Sequence, residues 1–318
     1  MFLKYRTVRL QDLPECLSCV RDSFVYSDEA KGELLALWKE LLSSGMANAA
    51  VMEDQFAPEG QKIVWFCGKV FISDEYAHFL KVEAAPFVGT QVLGAWRKGR
   101  LPLLTQAEIR RANSGDGVNI LVLNSGAPAR MLEGDNLTVL ADRVVDFSWY
   151  FSSGYKCKEM LEEFYDDFTW RWAENSGFRL RTDYGRYYET HQDERPAVDQ
   201  TPRLYGVNAR ESQAMPGSLA SLIFRYNTPK FRFRAGEQEL LNEALLGETD
   251  DDLARSLGVA SVTVRKRWDS IYARVSEVAP QLLPDSSQAG VEHGRSTEKK
   301  RRLLSYLRQH LEELRPHE

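Results

Sequence analysis

The chain has 318 residues, 43% apolar and 11% aromatic, with a formal net charge of −5. That is apolar material for more than one core and excludes a disordered chain, while the acidic balance excludes a protein that coats nucleic acid over its whole surface. No apolar run approaches the roughly 18 residues of a membrane span, and the first 14 residues lack the continuous apolar core of a signal peptide, so a cytoplasmic protein with no membrane partner is expected.

Residues 4–9 alternate as a short strand, and Asp12 opens a helix with the stripe Leu13, Cys16, Leu17, Val20 and Phe24. Cys16 and Cys19 form a C-x-x-C pair on it. Cys67 and Cys157 are the other cysteines, so no second pair completes a tetrahedral site, and packed, reduced thiols without a metal are expected. A second helix over 33–42 carries Leu34, Leu37, Trp38 and Leu41 on one face and is closed by Gly45. Strands are predicted at 47–53 and 62–72. A loop-rich stretch with Pro86, Gly89, Gly94, Gly99 and Pro102 follows, then a helix at 105–112. The apolar run 118–123, bounded by Gly117 and Asn124, fits a buried central strand. A helix over about 155–175, Gly177 and a strand at 178–184 complete the pattern. The alternation predicts an α/β or α+β domain over 1–195. Residues 196–230, with Pro196, Pro202 and Pro216, read as a linker with one strand-like run at 219–226.

From 231 to 318 the pattern is helical and predicts a small all-α domain. Leu240, Leu241, Ala244 and Leu245 form the stripe of a first helix, stopped by Gly247. Thr249 caps a second, whose first turn holds Asp250, Asp251 and Asp252. Gly258 makes a tight turn. In a third helix, 261–275, Val264, Trp268, Ile271 and Val275 share a buried face, which leaves Ser261, Thr263, Arg265, Lys266 and Arg267 outside it. After an interruption with Pro280, Pro284 and Gly294, a last helix starts with Lys299, Lys300, Arg301 and Arg302 and carries Leu303, Leu307, Leu311 and Leu314.

Glu237 and Glu239, then Leu253-Ala254, Gly258-Val259, Thr263-Val264-Arg265 and Ile271-Tyr272 follow one another without a gap. This spacing resembles the helix-turn-helix of LuxR-type transcription regulators, although Ala260 stands where that family has a capping serine. The resemblance implies double-stranded DNA as partner, read from the major groove. Thr263, Arg265 and Arg267 fall at the family's contact positions, with Ser261 and Lys266 beside them. Lys299, Lys300 and Arg301 would contact phosphates, and a homodimer would bind paired half-sites.

A second resemblance lies earlier. The stretch 151–161, with Gly154 and Tyr155, and the stretch 172–178, ending in Gly177-Phe178, resemble GNAT acyltransferases. That implies a glycine turn, at Gly154 and Tyr155, whose backbone N–H groups hold the pyrophosphate of acyl-CoA at a helix N-terminus. The tyrosine that serves this family as general acid falls at Ala173, so no catalytic residue is assigned. The expectation is a sequence-specific DNA-binding regulator rather than an enzyme. It needs no cofactor, and a small molecule or acyl-CoA would be sensed by its N-terminal domain. The alternative is a GNAT N-acyltransferase with a helix-turn-helix appendage.

Overall fold

A computed structural model describes residues 2–20, 25–194, 196, 200–246, 249–283 and 292–317, with backbone alone for 292–297. Phe24, Gly247 and Pro284, invoked above, lie outside the described residues. The chain forms two compact units: Met1–Ser152 with Lys156–Arg225, and Ser153–Tyr155 with Tyr226–Glu318.

The first unit runs β1 (Leu3–Thr7), α1 (Leu13–Ser18), α2 (Asp28–Ser43), β2 (Ala47–Asp54), β3 (Ile63–Ile72), α3 (Asp74–Val82), α4 (Val88–Arg97), α5 (Gln106–Ser114), β4 (Val118–Gly126), α6 (Gly134–Ser152), β5 (Cys157–Phe164), α7 (Asp167–Asn175), β6 (Arg179–Thr182), α8 (Gly185–Thr190), β7 (Arg203–Asn208), α9 (Ala209–Gln213) and α10 (Leu219–Ile223). Its strands form one mixed sheet in the order β1-β2-β3-β4-β5-β7-β6. Adjacent strands are antiparallel except for β4 and β5, which are parallel. β3 and β4 are buried almost throughout, as their unbroken apolar sequences require of central strands. The core packs α1, α2 and α4 on one face of the sheet, with Leu13, Leu37, Trp38 and Val92 against Phe66, Val70 and Leu121. The Ser27 hydroxyl caps α2 by accepting from the Ala30 N–H.

Three expectations change. The loop-rich stretch holds two helices, α3 and α4; Ser73 caps α3, with Asp74 and Glu75 in its first turn. The helix expected over 155–175 is a strand, β5, followed by a shorter helix, α7. The segment read as a linker supplies β7, which sits between β5 and β6, and its strand-like run 219–226 begins as helix α10. A mixed sheet covered by helices is the α/β class expected. None of the described helices is long and apolar enough to cross a membrane.

The second unit contains α11 (Ala235–Leu245), α12 (Asp250–Ser256), α13 (Ser261–Val278) and α14 (Glu292–Leu307). The Thr249 hydroxyl accepts from the Asp252 N–H to cap α12, and Gly258 turns the chain at φ 62° before α13. α13 buries Val264, Trp268, Ile271 and Val275. Glu313, fully buried, accepts from the Lys230 and Phe231 N–H groups at 3.0 and 2.9 Å.

Candidate functional site

The parallel ladder between β4 and β5 runs from the Val118/Cys157 pair to the Val122/Glu162 pair and ends there, although both strands continue. On its other side β4 carries a bulge. Gly68 of β3 faces Asn124 and Lys69 faces Val122, so Leu123 is the extra residue. A bulge bends its strand, and this one lies where β4 parts from β5. Trp38 holds the place: its Nε1 donates to Asn124 Oδ1 at 2.9 Å, and its ring lies so close to β3 that a Cβ on Gly68 would come within 2.3 Å of it.

The parted strands open a cleft enclosing about 80 Å³. A water-sized group needs only about 10–15 Å³ on that measure, so several heavy atoms fit. Its walls are Leu140 and Val144 of α6, Phe168 and Trp172 of α7, Trp65 of β3 and, from the other face, Val88 of α4. The gap therefore runs through the sheet. At the C-terminal end of β4 the chain turns through residues 127–133 into the 19-residue α6, whose first residue, Gly134, is exposed at φ 54°.

Few polar groups face this cleft. Lys69 is 3% exposed and donates from Nζ to Ser152 Oγ at 2.7 Å. Burial pushes the Cys67 thiol up to about 12 and that of Cys157 higher still, against the pull of Lys69, so neither is a thiolate at neutral pH. Glu162 accepts from Ser125 Oγ at 2.7 Å. Its neighbour Glu163 is buried and accepts from the Phe87 N–H (3.0 Å), the Val88 N–H (2.7 Å), the Tyr165 hydroxyl (3.1 Å) and the Tyr184 hydroxyl. Four donors thus converge on one buried carboxylate. Burial and the Glu163 charge together push the Tyr184 hydroxyl well above its ordinary range. Phe87 and Tyr184 both adopt positive φ, 63° and 58°, a conformation that costs a non-glycine residue about 1–3 kcal/mol.

The residues expected to bind acyl-CoA are elsewhere. Gly154 and Tyr155 follow a helix and precede a strand, the reverse of a strand–turn–helix, and they belong to the second unit. A Cβ on Gly154 would lie 2.4 Å from the Glu312 Cα. The Tyr155 ring is 2% exposed, with the Arg315 guanidinium 4.9 Å from its centre. The strand–turn–helix that meets the cleft is the one from β4 to α6. On α13, Ser261, Arg265 and Lys266 are exposed and Thr263 is half-buried. Arg267 is 3.6 Å from Glu239. Within the basic run, Lys299 and Lys300 lie over the Tyr272 and Trp268 rings and Lys300 pairs with Asp250 at 2.9 Å, while Arg301 is exposed and pairs with Glu298 at 2.7 Å. Sequence reasoning passes over Ser125 and takes Glu162 and Glu163, with Asp166 and Asp167, as a solvated face of one helix, whereas Glu162 and Glu163 lie on strand β5. Once 157–164 is read as a strand, Glu159, Leu161 and Glu163 fall on one face and Glu162 on the other.

No family model and no curated protein matches this chain. Solved structures do resemble it. The C-terminal condensation domain of Ebony in complex with beta-alanyl-dopamine is 10% identical, with a TM-score of 0.40, over 66% of this chain and 100% of that one. Arabidopsis thaliana NAA60 in complex with acetyl-CoA is 12% identical, with a TM-score of 0.39, over 66% and 99%. The spermidine/spermine N-acetyltransferase SpeG from Vibrio cholerae is 10% identical, with a TM-score of 0.37, over 68% and 99%. The expectation of a sequence-specific DNA-binding regulator is given up: the activities that these structures are named for are those of acetyltransferases. Lys299 and Lys300, expected at phosphates, are engaged with rings and an acid of their own unit, while Arg301 stays exposed; double-stranded DNA is not kept as the partner.

Proposed function

We propose that the first unit binds an acyl-CoA in the gap between β4 and β5 and transfers its acyl group to an amine. The observation that carries this reading is the parallel pair that parts after Val122 and Glu162 and opens an apolar passage through the sheet. Ligands of α/β sheets lie at the carboxyl ends of parallel strands, where the connection leads into a helix. Here that helix is α6. Its first-turn N–H groups, entered through Gly134, suit a diphosphate. The apolar walls on α6 and α7 suit the uncharged arm that leads to the thioester, and the donor supplies its acyl group in that activated form. As the amine nitrogen bonds to the acyl carbon, the thioester C–S bond breaks and CoA leaves as its thiol; Glu162 takes the proton that the nitrogen sheds, and the Ser125 hydroxyl orients that carboxylate.

Calorimetric titration of the full chain with acetyl-CoA tests the reading, with micromolar binding expected. A panel of primary amines, with released CoA detected as free thiol, tests transfer. Glu162→Gln is expected to bind acetyl-CoA as the unaltered chain does and to lose on the order of 10²–10⁴-fold in kcat. Absence of acetyl-CoA binding would overturn the assignment; binding without amine-dependent CoA release would overturn the transfer step.

A further inference from the structure

Glu163 stands at the far end of the same gap, and what gathers around it has a consequence of its own. The segment between β3 and β4, residues 73–117, folds as α3, α4 and α5. The first turn of α4 reaches the gap on the face opposite α6, where Val88 lines it. Glu163 of β5 ties that turn down through the N–H groups of Phe87 and Val88, with the helix dipole favouring the anion. The Tyr184 hydroxyl and the Tyr165 hydroxyl donate to the same carboxylate, and the Phe87 ring stacks on the Tyr165 ring at 6.2 Å and 9°. The described residues contain three non-glycine residues at positive φ; two of them, Phe87 and Tyr184, donate to Glu163. Unfavourable backbone persists where surrounding contacts enforce it, and it concentrates at clamps and switches.

We propose that Glu163 is a positioning residue, the latch of a gate formed by the Phe87 turn and the start of α4, which swings aside to admit the acceptor. The inference rests on the acyl-transfer reading. A donor lying along α6 fills the gap from one face, so the nucleophile reaches the acyl carbon from the other, where the Phe87 turn stands. Release lets Phe87 return to negative φ and withdraw its ring from Tyr165.

Hydrogen exchange on the full chain, without ligand, tests the latch. In Glu163→Gln the amides of residues 85–97 are expected to exchange at least tenfold faster, with β3, β4 and β5 unchanged. The acetyl-CoA Kd should stay within threefold of the unaltered chain, because the donor enters on the other face. Tyr184→Phe, which keeps the carboxylate, gives the same local pattern to a smaller degree and serves if the glutamine variant fails to fold. Unchanged exchange at 85–97 in a folded variant would overturn the latch, and so would acceleration spread evenly over the strands, the mark of a residue that only supports the fold. Local acceleration in a chain that does not bind acetyl-CoA would overturn the donor assignment and leave the latch standing.

Discussion

Gly68 makes room at the centre of the sheet. Its missing side chain lets the Trp38 ring lie against β3, and the indole in turn holds Asn124 at the β4 bulge. A methyl group there has no room, and overpacking a close-packed core costs about 1–3 kcal/mol. Gly68→Ala is therefore expected to lower stability by about that amount in thermal or urea unfolding and to weaken acetyl-CoA binding, since the bulge shapes the cleft. Unaltered unfolding would show that Trp38 moves aside freely. Nothing in the run Ile63 to Ile72 marks this glycine as different from any glycine in a strand. Its reason lies 30 residues away on α2, and periodicity cannot see it.

Among the elements, β5 and α7 show what local sequence can and cannot say. The residues of β5, Cys-Lys-Glu-Met-Leu-Glu-Glu-Phe, favour helix by intrinsic preference, and merging them with α7 is the natural reading. Burial between β4 and β7 overrides that preference, and the merged reading puts the glycine turn at Gly154, which lies between a helix and a strand. The reading leaves 134–152 unassigned, although Leu140, Val144, Phe147 and Phe151 recur at helical spacing and are buried on α6. The start of α7 was legible too. Asp166 accepts from the Thr169 N–H at 2.7 Å and separates strand from helix. Asp166→Ala is expected to cost about 1 kcal/mol, measured by unfolding, because it strips the cap from a wall of the cleft. A loss of a few tenths or less would mean that packing of Trp170 and Ala173 alone holds the helix.

At the scale of the whole molecule, the helical pattern of the second unit was legible because each helix has its own stripe and cap. What its basic residues do was not, because charge along a chain does not say whether a lysine meets solvent or a neighbouring ring. That unit also carries a test of its stability. Burial raises the pKa of Glu313 above the ordinary value of 4.5, against the pull of the Phe231 and Lys230 N–H groups. The folded state thus holds this proton more tightly than the unfolded chain. The resulting stabilisation is fully present below the ordinary carboxylate pKa and is lost as pH rises through the raised one. Melting curves over a series of pH values are expected to show a shallower fall above pH 4.5 for Glu313→Gln than for the unaltered chain. Parallel curves would mean that Glu313 does not titrate in that range.

The three residues from Ser153 to Tyr155 belong with the C-terminal unit although they leave the ribosome before β5 does. A nascent chain that has emerged as far as Arg225 possesses every strand of the sheet, while Gly154 and Tyr155 still wait for Glu312 and Arg315. Synthesis from the N-terminus lets the sheet form early. The connection from α6 to β5 is nonetheless completed only after residues 312–315 have been made, so a chain truncated before Glu312 is expected to leave Gly154 and Tyr155 without those partners.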